Sequence, residues 1–223
     1  ILTAKSTTCE LDPLPIPLLE DSITALLPAL LSINSSLSSG IFPSSFKHAI
    51  VRPLLKKSHL EPELFQNYRP VSNLSFLSKV LEKVAAARLL AHVEDHNLHE
   101  PLQSAYKSHH STETALLRVQ NDILRNIDSK YGTVLVLLDL SAAFDTIDHD
   151  ILFDLLENRL GIVDTALAWF KSYLSNRTQS VMIDGESSSP VTLKFGVPQG
   201  SVLGPLLYTI YTLPLGDLLR QYG

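Results

Sequence analysis

The segment VLVLLDLSAAFDTIDHD, residues 134–150, places a carboxylate at the end of an apolar run. A short run of this type, Thr133 to Leu138, predicts a buried strand. Asp139 would then project its carboxylate from the sheet edge. Such a group is a hard oxygen ligand, suited to Mg2+ held together with phosphate oxygens. Asp145, Asp148 and Asp150 follow closely and read as caps of turns, with Asp148 ahead of the next helix. A second segment, KFGVPQGSVLGPLLY at 194–208, puts three of the nine glycines in one nine-residue window. Glycines permit close backbone approach to a ligand or a base pair. Gln199 in such a loop could hydrogen-bond a base edge or a sugar. A plain strand-to-helix turn fits the same residues. The spacing is not GxGxxG, so nothing here suggests a dinucleotide fingerprint.

Other candidates are weaker. Phosphoryl-aspartate phosphatases also place an Asp after a hydrophobic strand, but with a second Asp two positions on, where this chain has Ser141. His92, His96 and His99 lie at helical spacing near Glu94 and Asp95. An exposed helix end explains them better than a transition metal, because no fourth ligand is evident. Trp169, Phe170 and Tyr173 read as core on one helix face. Cys9 has no activating neighbour beyond Glu10 and reads as inert. As the single cysteine, it excludes an internal disulfide and any multi-cysteine zinc site.

The elements that must position these residues can be read in order. Residues 1–17 form an extended lead-in, and Leu18 to Leu37 an amphipathic helix. HAIVRPLL, His48 to Leu55, predicts a strand. Asn67 to Leu74 reads as a loop in which Pro70 biases Arg69 to an extended conformation. Ser75 to Asp95 predicts a long helix with Leu77, Val80, Val84, Ala87 and Ala91 recurring at helical spacing. A second helix spans Thr112 to Ile127, with Glu113 in its first turn. Further helices are expected at Asp150–Arg159, closed by Gly161, and Thr165–Leu174, capped by Asp164. Gln179–Asp184 and Val191–Phe195 read as a hairpin around Gly185. Pro205 opens a last helix reaching Leu213.

With 45% hydrophobic and 18% charged residues, the 223-residue chain has the means to bury a core and is not globally disordered. Charge is uneven: −3 over residues 1–40, +3 over 41–130 and −5 over 131–223. A basic middle could meet phosphates and an acidic rear could hold cations, though ordinary solvated surface explains the charge alone. The longest Leu-rich stretch is broken by Glu20, Asp21 and Pro28 and is too short to span a bilayer. The chain starts at Ile1, and its one methionine is Met182, which reads as a fragment of a longer reading frame.

Taken together, these segments resemble the reverse transcriptases of LINE-type (non-LTR) retrotransposons. LLDLSAAFDTIDH looks like their first palm motif and GVPQGSVLGPLLY like the second. NYRPVSNLSFLSKVLEKVAAARL and QSAYKSHHSTETALL are similar to their finger motifs. FPSSFKHAIVRPLLKK resembles the extra finger segment of that group. The resemblance runs from Phe42 onward, in the family's order. It implies an α+β fold: fingers and an incomplete palm of a right-hand polymerase, an antiparallel sheet with packed helices. The implied organisation is a helical extension over 1–42, fingers over 43–130 and a partial palm over 131–223.

The resemblance also implies roles. Asp139 would be the first catalytic aspartate and a ligand to both Mg2+ ions, assisted by the carbonyl of Leu140. Ala142 and Ala143 would present backbone near the triphosphate. Phe144 would be the aromatic gate that clashes with a 2′-OH. Gln199 and Gly200 would lie beneath the incoming nucleotide and template base, and Pro198 would contact template or primer. Arg69 would grip the triphosphate, since a guanidinium is a rigid fork for phosphate. Lys107, where many relatives have arginine, would also bind the nucleotide, as a point charge without the fork. Arg52, Lys56 and Lys57 would line the template path. The family's third palm motif, an aromatic residue followed by Ala-Asp-Asp, is absent from the 223 residues. Two-metal transfer draws carboxylates from both motifs, so this chain alone is expected not to polymerise. The implied partners are an RNA template, a DNA primer and deoxynucleoside triphosphates, with no membrane. Oligomeric state is open, and the implied setting is intracellular, with cytoplasmic assembly and nuclear action. A catalytically dead RNA-binding fragment and a decayed reading frame are the alternatives.

Overall fold

A computed structural model describes residues 9–12, 34–140 and 142–222. The expected helix Leu18–Leu37 lies mostly outside them, as does most of the lead-in, while residues 34–39 are helical. Strand β1, His48–Leu55, matches its expected bounds. It pairs antiparallel with β2, Tyr68–Asn73, from Ile50 opposite Asn73 to Leu55 opposite Tyr68. A loop was expected at β2. Pro70 does hold Arg69 extended, but β2 is the edge of the sheet, where a missing N–H is tolerated. Pro53 and Pro70 face each other in the register.

The sheet is mixed, not purely antiparallel. β1 also pairs in parallel with β3, Arg177–Ile183, with His48 opposite Thr178. Parallel neighbours need a long crossover, and most of the helical part of the chain supplies it. β3 then turns through Asp184 and Gly185 into β4, Glu186–Ser187, and also pairs with β5, Val191–Leu193.

Helix α1 runs Phe76–Asp95, with Ser75 accepting from the Ser78 amide. Asp12 reaches it from the N-terminal turn and takes the Phe76 amide at 2.6 Å. Its buried face is Phe76, Ser78, Leu81, Glu82, Ala85, Ala86, Leu89 and Val93. The stripe Leu77, Val80, Val84, Ala87, Ala91 is partly or wholly exposed. Apolar residues surround this helix, so spacing alone does not select the face. Helix α2, Thr112–Asp128, starts with a reciprocal Ser111–Thr114 capping box and buries no residue.

Helix α3, His149–Asp154, is capped by Asp148, whose carboxylate accepts from the Asp150 and Ile151 amides. It widens into a π-turn at Leu155–Arg159. α4, Asp164–Leu174, starts one residue before expectation, with Val163 as the capping position. Asp164 itself sits at φ 52° and caps nothing. The last helical region is two helices, α5 (Gly204–Tyr211) and α6 (Leu213–Arg220). Arg220 and Arg159 both pair with Asp217, and Arg220 also pairs with Glu100. Among the described residues, no helix is long and apolar enough to cross a membrane.

The core lies between α1, α3, α4 and α5. Leu81, Ile147, Leu152, Leu156, Tyr173, Leu203 and Leu207 are fully buried there. Trp169 stacks on Tyr173 at 5.6 Å, and Phe42 meets both rings edge-on. These aromatics are core, as their helical spacing implies.

The strand expected at Thr133–Leu138 is absent. Residues 131–140 take up no regular secondary structure, pair with no described strand and are exposed. Val134 is 89% and Leu137 84% accessible. An apolar strand needs partners on its polar edges, and no described strand lies beside this one.

Candidate functional site

Two segments far apart in sequence are stitched together backbone to backbone. The Val197 amide donates to the Phe144 carbonyl at 2.8 Å, and the Gly196 amide to the Ile147 carbonyl at 2.8 Å. His149 Nε2 lies 2.8 Å from the Gly196 carbonyl. Gly196 sits at φ +82°, and a Cβ there would fall 2.8 Å from the Phe144 carbonyl oxygen and Asp145 Cα. Only a residue without Cβ, free to take positive φ, fits this crossing.

The same loop is fastened on its other side to β2. The Ser72 amide donates to the Gln199 carbonyl at 2.8 Å. Gly200 sits at φ +118°, and a Cβ would fall 2.7 Å from the Ser72 carbonyl oxygen. The loop 196–200 therefore bridges the turn 142–147 and the edge strand. The three segments frame a cleft of about 200 Å³, lined in part by Pro70, Ser72, Asp145, Gln179, Phe195 and Gln199. Burial pushes the Asp145 carboxyl above its ordinary value.

The turn is tight. Ala142 takes φ 52°, and its carbonyl accepts from the Asp145 amide at 2.9 Å and the Thr146 amide at 3.2 Å. A left-handed alanine is costly and persists where its surroundings demand it. Phe144 is partly buried, its ring 5.4 Å from Tyr208 and 6.4 Å from Tyr106.

Of the residues singled out by sequence, the fold thus gathers Ala142, Ala143, Phe144, Pro198, Gln199 and Gly200. Arg69 is exposed on β2, beside Pro70 of the cleft and opposite Leu54. Others lie apart. Lys107 lines a separate cavity with Leu206 and Ile210, and its neighbour Tyr106 packs against Phe144. Arg52 pairs with Glu10 and sits over Met182, in a groove with Phe65 and Tyr68. Lys56 Nζ donates to the Gln66 carbonyl at 2.8 Å, and Lys57 is exposed.

Asp139 and Leu140 are the largest departure. Both lie on the exposed, unpaired stretch, so Asp139 is not the terminus of a buried strand. Among the described residues, no three His, Cys, Asp or Glu side chains come together as a metal site. His92 instead contacts the Leu160 carbonyl at 2.7 Å, and His96 the His92 carbonyl at 2.9 Å. Cys9 is buried, and burial raises its thiol pKa, which fits an inert role.

Sequence reading missed a buried polar group behind the loop. Glu82 Oε2 accepts from the Val202 amide at 2.8 Å, the Leu203 amide at 3.2 Å and the Tyr173 hydroxyl at 3.2 Å. Arg177, also buried, lies over the Tyr173 ring at 4.9 Å and donates to the Tyr173 carbonyl at 3.0 Å. The available signal was Ser78 and Glu82 four residues apart on an apolar helix.

A family profile described as reverse transcriptase (RNA-dependent DNA polymerase) matches residues 54–222. The RNA-directed DNA polymerase from mobile element jockey of Drosophila melanogaster is 35% identical over 205 residues, 90% of this chain and 21% of the relative. Its counterpart in Drosophila funebris is 36% identical over 203 residues, 91% of this chain and 22% of the relative. The retrovirus-related Pol polyprotein from type-1 retrotransposable element R2 of Popillia japonica is 30% identical over 143 residues, covering 64% of this chain and 19% of the relative. The chain spans about a fifth of the length of these curated relatives.

Proposed function

The chain belongs to the reverse transcriptase (RNA-dependent DNA polymerase) family, and on that premise we propose that it forms the fingers and part of the palm of an RNA-directed DNA polymerase from a non-LTR retrotransposon. The observation that carries this reading is the convergence on one cleft. The turn 142–147, the loop 196–200 and strand β2 meet there, although β2 and the loop are more than a hundred residues apart. In this reading residues 1–42 are an extension, 43–130 the fingers and 131–223 the palm portion.

The cleft takes a deoxynucleoside triphosphate paired to an RNA template. Arg69 holds phosphate at the cleft's edge with its planar fork. The backbone at Ala142 and Ala143 faces the triphosphate. The Phe144 ring, steadied by Tyr208 and Tyr106, occupies the space of a 2′-OH and so selects deoxyribose by exclusion. The Pro198–Gly200 loop, fixed at both ends, supports the base pair. Arg52, Lys56 and Lys57 track the template strand through phosphate contacts.

Nucleotidyl transfer in this family generally uses a divalent metal, here Mg2+, which would stabilise charge on the transferred phosphoryl group. The described residues do not by themselves fit such an ion, since no three His, Cys, Asp or Glu side chains converge among them. We therefore assign the chemical step to a polypeptide of the relatives' length and none to these 223 residues alone. The exposed stretch 133–138 is the palm strand that would pair with further strands in such a polypeptide, carrying Asp139 into the site.

Primer extension tests the reading. A polypeptide of the relatives' length, carrying this chain, should add deoxynucleotides to a DNA primer on an RNA template. Asp139→Asn should abolish addition, and the 223-residue chain should add none. Undiminished addition by Asp139→Asn, or addition by the short chain, contradicts the proposal.

A further inference from the structure

We infer that Glu82 is a positioning residue: its carboxylate, reaching from α1, holds the start of α5 and thereby fixes the Pro198–Gly200 loop over the cleft. The inference rests on the nucleotide-cleft reading above for its functional consequence, but not for its geometry. A helix start leaves backbone N–H groups without partners, and a nearby side chain normally takes them. At α5 the capping residue is Leu203, which supplies no side-chain hydrogen bond. Ser201 Oγ takes the Gly204 amide at 2.9 Å. The Val202 and Leu203 amides go instead to one oxygen of Glu82, 2.8 and 3.2 Å away and about 120 residues earlier in the chain.

Glu82 is fully buried, and its remaining partners are equally fixed. Tyr173 donates to the same oxygen, and Ser78 Oγ donates to the other at 3.2 Å. A buried carboxylate is costly unless hydrogen-bonded, and leucine at 82 would suit the surrounding apolar face better by burial alone. What a carboxylate adds is an acceptor that ties three elements to one point: α1, α4 and the approach to α5. The link onward is short. Only Ser201 separates Gly200 from Val202, and its amide donates to the Pro198 carbonyl at 3.0 Å. Beyond it, Gln199 is held by Ser72. Glu82 touches neither the cleft nor any candidate substrate contact, so it acts through the loop.

Amide hydrogen exchange on the 223-residue chain reads the geometry directly. With Glu82→Leu, exchange at residues 198–204 should rise at least about tenfold, with a smaller change at residues 85–93 of α1. Glu82→Gln, which keeps an acceptor oxygen, should stay within about threefold of the parent. Glu82→Asp, which withdraws the oxygen by one methylene with little risk to folding, should fall between. In a polypeptide of the relatives' length, Glu82→Leu should raise the KM for deoxynucleotide about tenfold with kcat within threefold, and Glu82→Gln should restore it. Equal acceleration along α1 and the loop, in Glu82→Leu or in Glu82→Asp, overturns the inference. So does loop-specific acceleration with KM unchanged. If the unsubstituted polypeptide adds no nucleotide, the functional reading falls, and the exchange rates alone decide whether Glu82 holds the loop.

Discussion

The amide of Ser72 donates to the carbonyl of Gln199 at 2.8 Å, joining the edge strand of the sheet to a loop 127 residues later. That bond closes one side of the cleft. Gly200 lies directly against the same residue, and Gly196 crosses the turn at Phe144 on the far side. The site's shape therefore depends on two positions where any side chain collides with backbone.

The first prediction follows from those collisions. Gly196→Ala and Gly200→Ala each combine positive φ with a contact under 3 Å, and each should cost about 2 kcal/mol or more of stability. Gly161→Ala is the control. It shares positive φ but meets nothing within 4 Å, and should cost about 1 kcal/mol. Denaturant titration of the three variants checks the order. Equal losses would show that the loop does not need its glycines for close approach.

The second concerns pH. Burial raises the Glu82 carboxyl above its ordinary value, against the opposing pull of the Leu203 and Val202 amides, Arg177 and Tyr173. A raised acid stabilises the fold fully below the unfolded glutamate value of about 4.3, and that contribution is lost as pH rises through the folded-state value. Glu82→Gln lacks this loss. Its stability relative to the parent should therefore improve as pH rises above about 4.3. The other ionisable groups facing Glu82 are Tyr173, pushed further up by burial, and Arg177. Tyr173 stays neutral across that range and leaves the comparison clean. A stability difference that is flat with pH, or that moves against Gln, contradicts the burial argument.

How far the sequence led depends on which forces are local. β1 and α1 were legible because apolar runs and a capping serine act within a few residues. The hairpin after α4 was legible from Gly185. β2 was not, because Pro70 reads as a loop unless the strand is known to lie at an edge. The parallel pairing of β1 with β3 has no local signal at all. Gln199 was singled out by its glycine-rich loop and Phe144 by family likeness, whereas no reading singled out Glu82, on a helix whose apolar residues go all round. The run at 133–138 shows the converse. Its residues favour a strand, yet strand formation needs a partner that no local pattern provides.

That run supplies the third prediction. Val136 and Leu138 are 70% and 81% accessible, in a contiguous apolar stretch of the kind that drives association. Val136→Lys with Leu138→Lys should reduce concentration-dependent aggregation of the 223-residue chain. Its unfolding free energy should change by no more than about 0.5 kcal/mol, as for surface substitutions generally. Light scattering and denaturant titration measure the two. A large stability loss would mean that these side chains are packed in solution.

The most direct measurement is photolabelling of the cleft. A polypeptide of the relatives' length, with an RNA template and DNA primer bound, is given a deoxynucleoside triphosphate carrying a photoreactive base. After irradiation, the labelled residues are mapped by mass spectrometry. Label should fall within 69–72, 142–145 or 196–200, and excess unmodified deoxynucleotide should remove it. Label that falls instead around Lys107 and Leu206, or around Arg52 and Phe65, and is competed in the same way, would contradict the assignment of the cleft.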